Sequence, residues 1–231
     1  MAKQQTYRWL PFIGAVFVTT LIISNIVAVK LVQIFGLILP AAVVLFPVAY
    51  IFGDILTEVY GYARARQVIW TGFFCNLLAV VAIAVTIGLP AASFWSLSGF
   101  EGAPSAQQAY QAVLGFTPRL LAASFVAYLA GEFLNSFVLA KLKVRTRGRY
   151  LWVRTIGSTI VGEGVDSAIF ISLAFWGILE PAALATTIWS QWVFKVGYET
   201  LATPITYVIV NWLKKVESED YYDKKTNFNP I

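Results

Sequence analysis

Six long apolar stretches dominate the sequence and limit what it can fold into. They lie roughly at residues 10–34, 38–60, 67–89, 118–140, 156–178 and 183–213. Each is long enough to cross a bilayer core, which takes about 20 apolar residues in a helix. The stretches are continuous and lack the period-two alternation of transmembrane barrel strands. Since hydrophobic residues make up 58% of the chain and charged residues only 13%, we predict an all-α integral membrane protein with six transmembrane helices.

Basic residues alternate between the two sides of these stretches. The connections near 35–37, 90–117 and 179–182 contain no Lys or Arg, whereas the other connections and both termini are basic. The basic residues are Lys3, Arg8, Arg64, Arg66, Lys141, Lys143, Arg145, Arg147, Arg149, Arg154, Lys214, Lys215, Lys224 and Lys225. The positive-inside rule therefore places both termini in the cytoplasm. Basic loops beside a membrane attract anionic lipid, so the net charge of +5 does not indicate a nucleic-acid partner.

The chain reads as a single transmembrane domain, residues 1–213, followed by a polar cytoplasmic tail, residues 214–231. The tail is expected to be disordered because it is polar and charged. The one long connection, 90–117, contains Pro104 followed by apolar residues at helical spacing, which predicts a short external surface helix between the third and fourth spans. It is interpreted either as a lid over an outward opening or as a plain interfacial loop with aromatic anchors.

Strongly polar residues interrupt the predicted spans. In chain order these are Asn25, Lys30, Asp54, Glu58, Asn76, Glu132, Asn135, Glu163, Asp166, Gln191, Lys195 and Glu199. A charge at the bilayer centre costs about 2.5 to 3.5 kcal/mol even on lenient scales, so these side chains must face inward. Most are spaced three or four residues apart within a span, which places them on one helix face. The second, fourth, fifth and sixth spans are therefore predicted to share one polar zone, from the middle of the bilayer to its inner half.

The charges of this zone do not balance. Six acids stand against Lys30 and Lys195, and a dry bundle does not tolerate four unpaired negative charges. Some carboxyls are protonated, or the zone is hydrated, or a ligand supplies donors. Structural roles stay open for several members: Glu58 could pair with Arg64 or Arg66, and Lys195 with Glu199, one turn away. Lys30, near the outer end of its span, could snorkel to the interface.

The second and fourth spans share a similar sequence. "VAYIFGDILTE" at 48–58 aligns with "VAYLAGEFLNS" at 126–136, so that Gly53 and Asp54 match Gly131 and Glu132. Both spans run from outside to inside in the predicted topology, which is compatible with a parallel structural repeat. Chance similarity between apolar helices is the alternative. In either case two helices place an acid directly after a glycine at similar depth.

Enzymatic chemistry has few residues to draw on here. The chain has no histidine and one cysteine, Cys75, which removes histidine-based zinc sites, Ser-His pairs and an intramolecular disulfide. An aspartic protease dyad would require Asp54 and Asp166 to share a proton, and an ion channel would require a ring that is symmetric among subunits. Carboxylates spread over several helices suit a transported solute better. We expect no enzymatic activity, no catalytic residues, no metal and no cofactor.

Several motifs together resemble the queuosine precursor transporter family, also called the YhhQ or vitamin uptake transporter family. They are "SNIVAVKLV", "GDILTEVYGYARAR", "GEFLNSFVLAKLKVR", "GEGVDSAIF" and "FKVGYETLATP", between about residues 20 and 210. The resemblance implies import of 7-cyano-7-deazaguanine or 7-aminomethyl-7-deazaguanine, precursors for tRNA modification, across the bacterial inner membrane. The helix count is also similar to that of vitamin-binding membrane subunits that need partner ATPases, which is kept as the alternative. Oligomeric state, including a homodimer, is left open.

The polar zone suits a planar deazaguanine. Its N1–H and exocyclic amine form a donor pair that a carboxylate can accept in bidentate fashion. Asp54, Glu132, Glu163 and Asp166 are therefore expected to accept from the ring or amine, and Asn25, Asn135, Gln191 and Lys195 to meet the carbonyl or nitrile. Lys30, Glu58 and Glu199 are assigned to a cytoplasmic gate or to structural pairing. Candidate stacking partners are Tyr50, Tyr128, Phe170, Trp189, Trp192 and Tyr198.

Overall fold

The computed structural model describes residues 7–34, 37–115 and 118–230, and helices make up most of this part. The helices are α1 (Leu10–Val27), α2 (Phe46–Ile55), α3 (Tyr62–Gly88), α4 (Ala103–Leu114), α5 (Pro118–Arg145), α6 (Leu151–Phe175) and α7 (Pro181–Glu217). Two short strands, β1 (Leu31–Ile34) and β2 (Leu37–Pro40), and a 3-10 turn (Ala41–Val44) join α1 to α2, and a π-helical turn (Leu56–Tyr60) ends α2.

In the part of the chain that the structure describes, four helical regions are long and apolar enough to cross a membrane. They are Leu10–Val27, Tyr62–Gly88, Leu151–Phe175 and the region that contains α5. The second predicted span fails on helix length, because α2 has ten residues. The sixth, α7, has 37 residues but carries Gln191, Lys195 and Glu199 in its outer half. An integral membrane protein built mainly of helices is therefore confirmed by these spans.

The junction of the first two predicted spans is not helical. The first span was predicted to run to residue 34 and the second to begin at 38, but α1 ends at Val27 and α2 begins at Phe46. An antiparallel hairpin fills the gap, with Val32 opposite Leu39. Pro47 is one reason why α2 begins where it does, because it falls in the first turn of that helix. Proline is tolerated there because the first-turn N–H groups have no helical acceptor.

The short helix predicted between the third and fourth spans is confirmed as α4. Helix α4 begins with Pro104 in its first turn and is tied to the end of α3, where Gln107 Nε2 donates to the Ile87 carbonyl at 2.9 Å. On the same side, Arg119 at the start of α5 donates through Nε to the Leu173 carbonyl at 2.7 Å. A cation at the C-terminal end of α6 is favourable because helix carbonyls there lack intrahelical donors.

Two glycines allow α5 and α6 to approach closely. A Cβ placed on Gly162 would lie 2.7 Å from Asn135 Cβ and 2.9 Å from the Gly131 carbonyl oxygen. A Cβ on Gly131 would lie 2.7 Å from Asp166 Cβ. Small residues at a helix crossing let backbones meet, and packing of this kind is a main source of helix association in lipid. The crossing brings the acids of α5 and α6 to the same depth.

We expect Gly162→Ala to destabilise the protein by about 1 to 3 kcal/mol, the usual cost of overpacking a close contact. The measurement is thermal unfolding in detergent. Gly197→Ala is the matched control, since it also lies within a helix and a Cβ there would meet nothing within 4 Å. Equal stability of the two variants would contradict the tight crossing.

The prediction of a disordered tail was wrong for residues 218–230. Tyr221 N donates to the Val59 carbonyl at 3.2 Å, and both carboxylate oxygens of Asp223 accept from Tyr62 N, at 3.1 and 3.2 Å. Trp70 Nε1 donates to the Pro230 carbonyl at 2.8 Å. The segment, which we call the strap, thus supplies an acceptor to the N-terminus of α3, where backbone N–H groups lack helical partners. The polar composition did not indicate these contacts, because they are made by backbone groups and by single side chains such as Asp223.

Candidate functional site

A buried lysine and two acids form the centre of the polar zone. Lys195 Nζ on α7 lies 2.8 Å from Glu163 Oε2 on α6 and also binds Asp166 Oδ2, one turn further along α6. Tyr50 on α2 hydrogen-bonds Glu163, and its ring centroid lies 5.8 Å from Lys195 Nζ. The suggested pairing of Lys195 with Glu199 was wrong, because the two acids of α6 take the ammonium group instead.

Four further side chains lie beside this cluster, on α2, α5 and α7. Asn135 Nδ2 donates to Asp54 Oδ1 at 2.9 Å. Glu199 is fully buried, and neither of its carboxylate oxygens has a hydrogen-bond partner among the described residues. Glu132 is also buried, and a Cβ on Gly53 would lie 3.3 Å from its Oε2. The glycine of α2 therefore makes room for the acid of α5.

The matching glycines of the two aligned segments play similar roles. Gly53 lets Glu132 of α5 approach the α2 backbone. Gly131 in turn lets Asp166 of α6 approach the α5 backbone. In each case a missing Cβ leaves space for an acid on a neighbouring helix. This gives a physical reason for a glycine to precede the acid in both helices, whether or not the segments arose by duplication.

The remaining predicted contacts are Asn25, Gln191 and Lys30. Asn25 Nδ2 on α1 donates to Asn76 Oδ1 on α3 at 2.9 Å, so two amides predicted to face inward satisfy one another. The Gln191 Oε1 atom is buried without a hydrogen-bond partner in the described part of the chain. Lys30 is exposed in the turn between α1 and β1, and the structure places it apart from the buried acids.

Glu58 lies at the centre of a cation network at the end of the bundle where α5 ends and α6 begins. Arg154 clamps it with two hydrogen bonds, Nε to Oε2 at 3.0 Å and Nη2 to Oε1 at 2.8 Å. Lys214 Nζ lies 2.6 Å from Oε1, and Lys143 Nζ lies 3.6 Å from the same atom while donating to the Glu58 carbonyl. Asp220 of the strap binds both lysines. Pairing of Glu58 with Arg64 or Arg66 was wrong, since three other cations surround it.

Sequence reasoning missed Arg154, Lys143 and Lys214 as partners of an intramembrane acid. All three were counted as loop charges that set orientation. Lys143 and Arg154 are nevertheless almost fully buried, because α5 and α6 extend beyond the predicted apolar limits. The signal available in the sequence was the position of Glu58, one turn after Asp54 and close to the first basic residues that follow the span. In the structure Glu58 lies in a π-helical turn. π-helical turns are frequent at functional sites.

The strap covers this network through Asp220, which binds Lys143 and Lys214. Partial burial raises the pKa of Asp220, but hydrogen bonds from Lys143 and Lys214 outweigh burial and bring the pKa below its usual value. Asp220 therefore stays ionised through the physiological range, and its contribution to closure is lost only as the pH falls through the lowered pKa. Burial and a 2.6 Å hydrogen bond to Glu219 raise the pKa of Tyr7 to about 12, so Tyr7 remains a neutral donor that ties the N-terminal end to the strap.

An apolar groove of about 360 Å³ lies between α6 and α7. It is lined by Gly164, Ala185, Ile188, Trp189 and Trp192. Trp192 Nε1 donates to the Ile160 carbonyl at 2.9 Å, which leaves its ring as a wall of the groove.

Comparison with known proteins decides the family. Residues 40–209 match the family described as "Putative vitamin uptake transporter", a range that contains the Lys195 cluster, Asp54, Asn135 and Glu199. The chain belongs to this family of membrane transporters. It is 30% identical over 186 residues to the "Probable queuosine precursor transporter" of Bacillus subtilis (strain 168), covering 80% of this chain and 77% of that protein.

Two further relatives agree with this assignment. The "Queuosine precursor transporter" of Escherichia coli (strain K12) is 24% identical over 190 residues, covering 82% of this chain and 78% of that protein. A "Probable queuosine precursor transporter" of Haemophilus influenzae (strain ATCC 51907 / DSM 11121 / KW20 / Rd) is 27% identical over 136 residues, covering 59% and 52%. No solved structure matches this chain. As a member of the family it is a multi-pass membrane transporter, and the resemblance inferred from the motifs is confirmed.

Proposed function

We propose that this protein imports a queuosine precursor across the bacterial inner membrane through the polar zone around Lys195. The single observation that supports this most is the Lys195 cluster, in which a buried cation on α7 binds one buried acid, Glu163, and one partly buried acid, Asp166, on α6. Ionisable residues inside a membrane are costly, and they usually mark a site of function. The names of the three relatives supply the substrate class.

The proposed substrate is a 7-deazaguanine carrying a cyano or aminomethyl group. Its N1–H and exocyclic amine would be accepted by Glu163 and Asp166, each of which would exchange a bond to Lys195 for a bond to the ligand. Lys195, so released, would donate to the ring carbonyl. Glu132 and Gln191 would complete the polar contacts, and Tyr50 offers the aromatic face nearest to Lys195. Asn25, Asp54 and Asn135 stay predictions as ligand contacts, since each faces another side chain in this conformation.

We further propose six crossings with both termini in the cytoplasm. The second crossing would consist of the 3-10 turn Ala41–Val44 and the helical residues 46–60. Together they rise about 30 Å, the thickness of a bilayer core. The sixth crossing would be α7, whose polar face is turned toward α6 and α2. With this topology the Glu58 network and the strap lie at the cytoplasmic mouth, so the conformation is closed on that side.

Transport then requires the cytoplasmic closure to open in alternation with the outer side. The closure depends on ion pairs and on the strap, which can separate as units without unfolding a helix. Glycines beside the acids and Pro204 within α7 provide places where helices can bend. Glu58 thus belongs to the gate in this proposal, and the Lys195 cluster to the binding site.

Uptake of radiolabelled 7-cyano- and 7-aminomethyl-7-deazaguanine into proteoliposomes that hold only this protein tests the proposal. We expect saturable uptake of at least one of them, with the compound chemically unchanged inside. Glu163→Gln and Asp166→Asn should each lower uptake about tenfold or more, because a hydrogen bond to a charged group contributes about 1.5 to 3 kcal/mol. Glu101→Gln, which removes an exposed acid of the external connection, is the control.

Three results would contradict this proposal. Binding without uptake would favour a substrate-binding subunit that needs partner ATPases. A chemically altered product would favour an enzyme. Normal uptake by both Glu163→Gln and Asp166→Asn would remove these acids from the site while leaving the transport function in place.

A further inference from the structure

A second polar group lies beside the Lys195 cluster and has no cation of its own in the described residues. Asp54, Asn135 and Glu199 are 1%, 5% and 0% exposed. Four of their side-chain oxygens are buried and lack a hydrogen-bond partner among the described residues: Asp54 Oδ2, Asn135 Oδ1 and both carboxylate oxygens of Glu199. Buried polar atoms are seldom left unpaired, because each costs about 1 to 3 kcal/mol and a charged one more.

Asp54 and Asn135 make one of the two hydrogen bonds of an acid–amide pair. A carboxylic acid and a primary amide can form two parallel hydrogen bonds, one from the amide N–H to the acid carbonyl and one from the acid O–H to the amide oxygen. The first is present, from Asn135 Nδ2 to Asp54 Oδ1 at 2.9 Å. The two atoms of this pair left without partners, Asp54 Oδ2 and Asn135 Oδ1, are those that the second would join. A proton on Asp54 Oδ2 would supply the hydrogen for this second bond.

The charges around this pair also favour a proton. The ionisable groups with the largest electrostatic effect on Asp54 are Glu199 on α7, Glu132 on α5 and Glu58 one turn along its own segment, and all three are acids. Glu163 on α6 acts on Glu199 in the same way. Lys195 is held by Glu163 and Asp166, and the cations near Glu58 are held by that residue. Several carboxylates this close together cannot all ionise in a dry environment, so they share protons.

We propose that Asp54, bonded to Asn135 and facing Glu199, is the proton-binding site of the transporter, and that one proton enters the cell with each substrate molecule. The inference rests on the proposed import function and adds its driving force. The Lys195 cluster would hold the substrate, while Asp54 and Glu199 would carry the proton. The two groups are near enough to influence one another through Glu163, which is bound to Lys195 and acts electrostatically on Glu199.

The proton takes a simple path in this scheme. When the zone opens outward, a proton from the external water binds Asp54 Oδ2 and forms the O–H bond that donates to Asn135 Oδ1. When it opens to the cytoplasm, water reaches Glu199 and Asp54, the O–H bond breaks, and the proton leaves to the cytoplasmic water. No electron is transferred, and the carboxyl returns to its starting state. Substrate at the Lys195 cluster would favour the protonated pair, because Glu163 loses part of its neutralising bond to Lys195.

The test uses proteoliposomes with an acidic exterior, the radiolabelled deazaguanine and a protonophore. We expect accumulation above equilibrium, about tenfold for each pH unit of gradient, since one proton per substrate carries about 1.4 kcal/mol per pH unit. The protonophore should abolish the accumulation. Asp54→Asn, which mimics the protonated carboxyl, should lower gradient-driven accumulation at least tenfold. It should lower counterflow, which involves no net proton movement, less than threefold. Glu101→Gln is again the control.

The outcomes separate this inference from the proposed function. Uptake to equilibrium without accumulation under a proton gradient, or accumulation driven only by a sodium gradient, would overturn the proton site and leave import intact. Equal loss of accumulation and counterflow in Asp54→Asn would assign Asp54 to substrate binding instead. Absence of any uptake would refute the import proposal.

A measurement independent of transport keeps the proton site testable even then. Infrared difference spectra of the purified protein between neutral and alkaline buffer should contain the carbonyl band of a protonated carboxylic acid. Asp54→Asn should weaken that band, because the other buried acids contribute the rest of it, and Glu101→Gln should leave it unchanged. A spectrum without the band in the unmodified protein, or one that Asp54→Asn leaves unchanged, would overturn the inference.

Discussion

Replacing Lys195 with methionine is expected to lower uptake at least about a hundredfold and to reduce the amount of folded protein. Lys195 neutralises both Glu163 and Asp166, and removing one partner of a buried ion pair costs about 3 to 5 kcal/mol because the other charge is left uncompensated. The lost donor to the substrate adds a binding defect, since a charge-assisted hydrogen bond contributes about 1.5 to 3 kcal/mol and about 1.4 kcal/mol equals a tenfold change. Uptake per folded molecule and thermal unfolding in detergent are the measurements.

A triple variant separates folding from binding in this experiment. Lys195→Met combined with Glu163→Gln and Asp166→Asn removes all three charges, so no buried charge is left unpaired, and stability should return close to that of the unmodified protein. Uptake should stay lost, because the acceptors and the donor for the substrate are gone. Lys215→Met, which removes an exposed lysine of the same helix, should match the unmodified protein in both measurements. Normal uptake by the triple variant would reduce the cluster to a structural role.

The depth and spacing of polar residues predicted the polar zone, and the helix pairing determined its contacts. Spacing of three or four residues placed Glu163 with Asp166 and Lys195 with Glu199 on single helix faces, and the cost of burying charge in lipid required those faces to turn inward. The partner of Lys195 was not predictable from that spacing. It depends on how α7 is rotated against α6, which the sequence period leaves undetermined, and the acids of α6 lie nearer the ammonium group than Glu199 does.

The end of the bundle that holds the Glu58 network was the part that sequence patterns described least well. Hydropathy ended the fourth span at residue 140 and began the fifth at 156, but α5 runs to Arg145 and α6 starts at Leu151. Basic residues assigned to a loop therefore became parts of helices that bury Lys143 and Arg154. The strap added Asp220 to the same network. Contacts of this kind join residues distant in sequence, so neither helix periodicity nor loop composition indicates them.

Replacing Glu58 with glutamine is expected to destabilise the protein by about 3 to 5 kcal/mol, more than any exposed acid would. Glu58 is fully buried among Arg154, Lys143 and Lys214, and the substitution leaves three cations facing one another with only Asp220 to offset them. Breaking a buried ion pair has this cost because the remaining charges lose their compensation. Thermal unfolding in detergent and the amount of protein in the membrane measure the effect. Glu101→Gln is the control for loss of an acid.

A double-mutant cycle shows whether the loss comes from the ion pair itself. Arg154→Met removes the bidentate partner, and the double variant Glu58→Gln with Arg154→Met leaves neither a buried anion nor its principal cation. The double variant should be less destabilised than the sum of the single variants, with a coupling of about 0.5 to 3 kcal/mol typical of residues in one network. Additive effects would mean that Glu58 and Arg154 act separately. Because the network also holds the strap through Asp220, the single variants should expose the strap to proteolysis before the helices unfold, which ties the stability of the closure to its role as a gate.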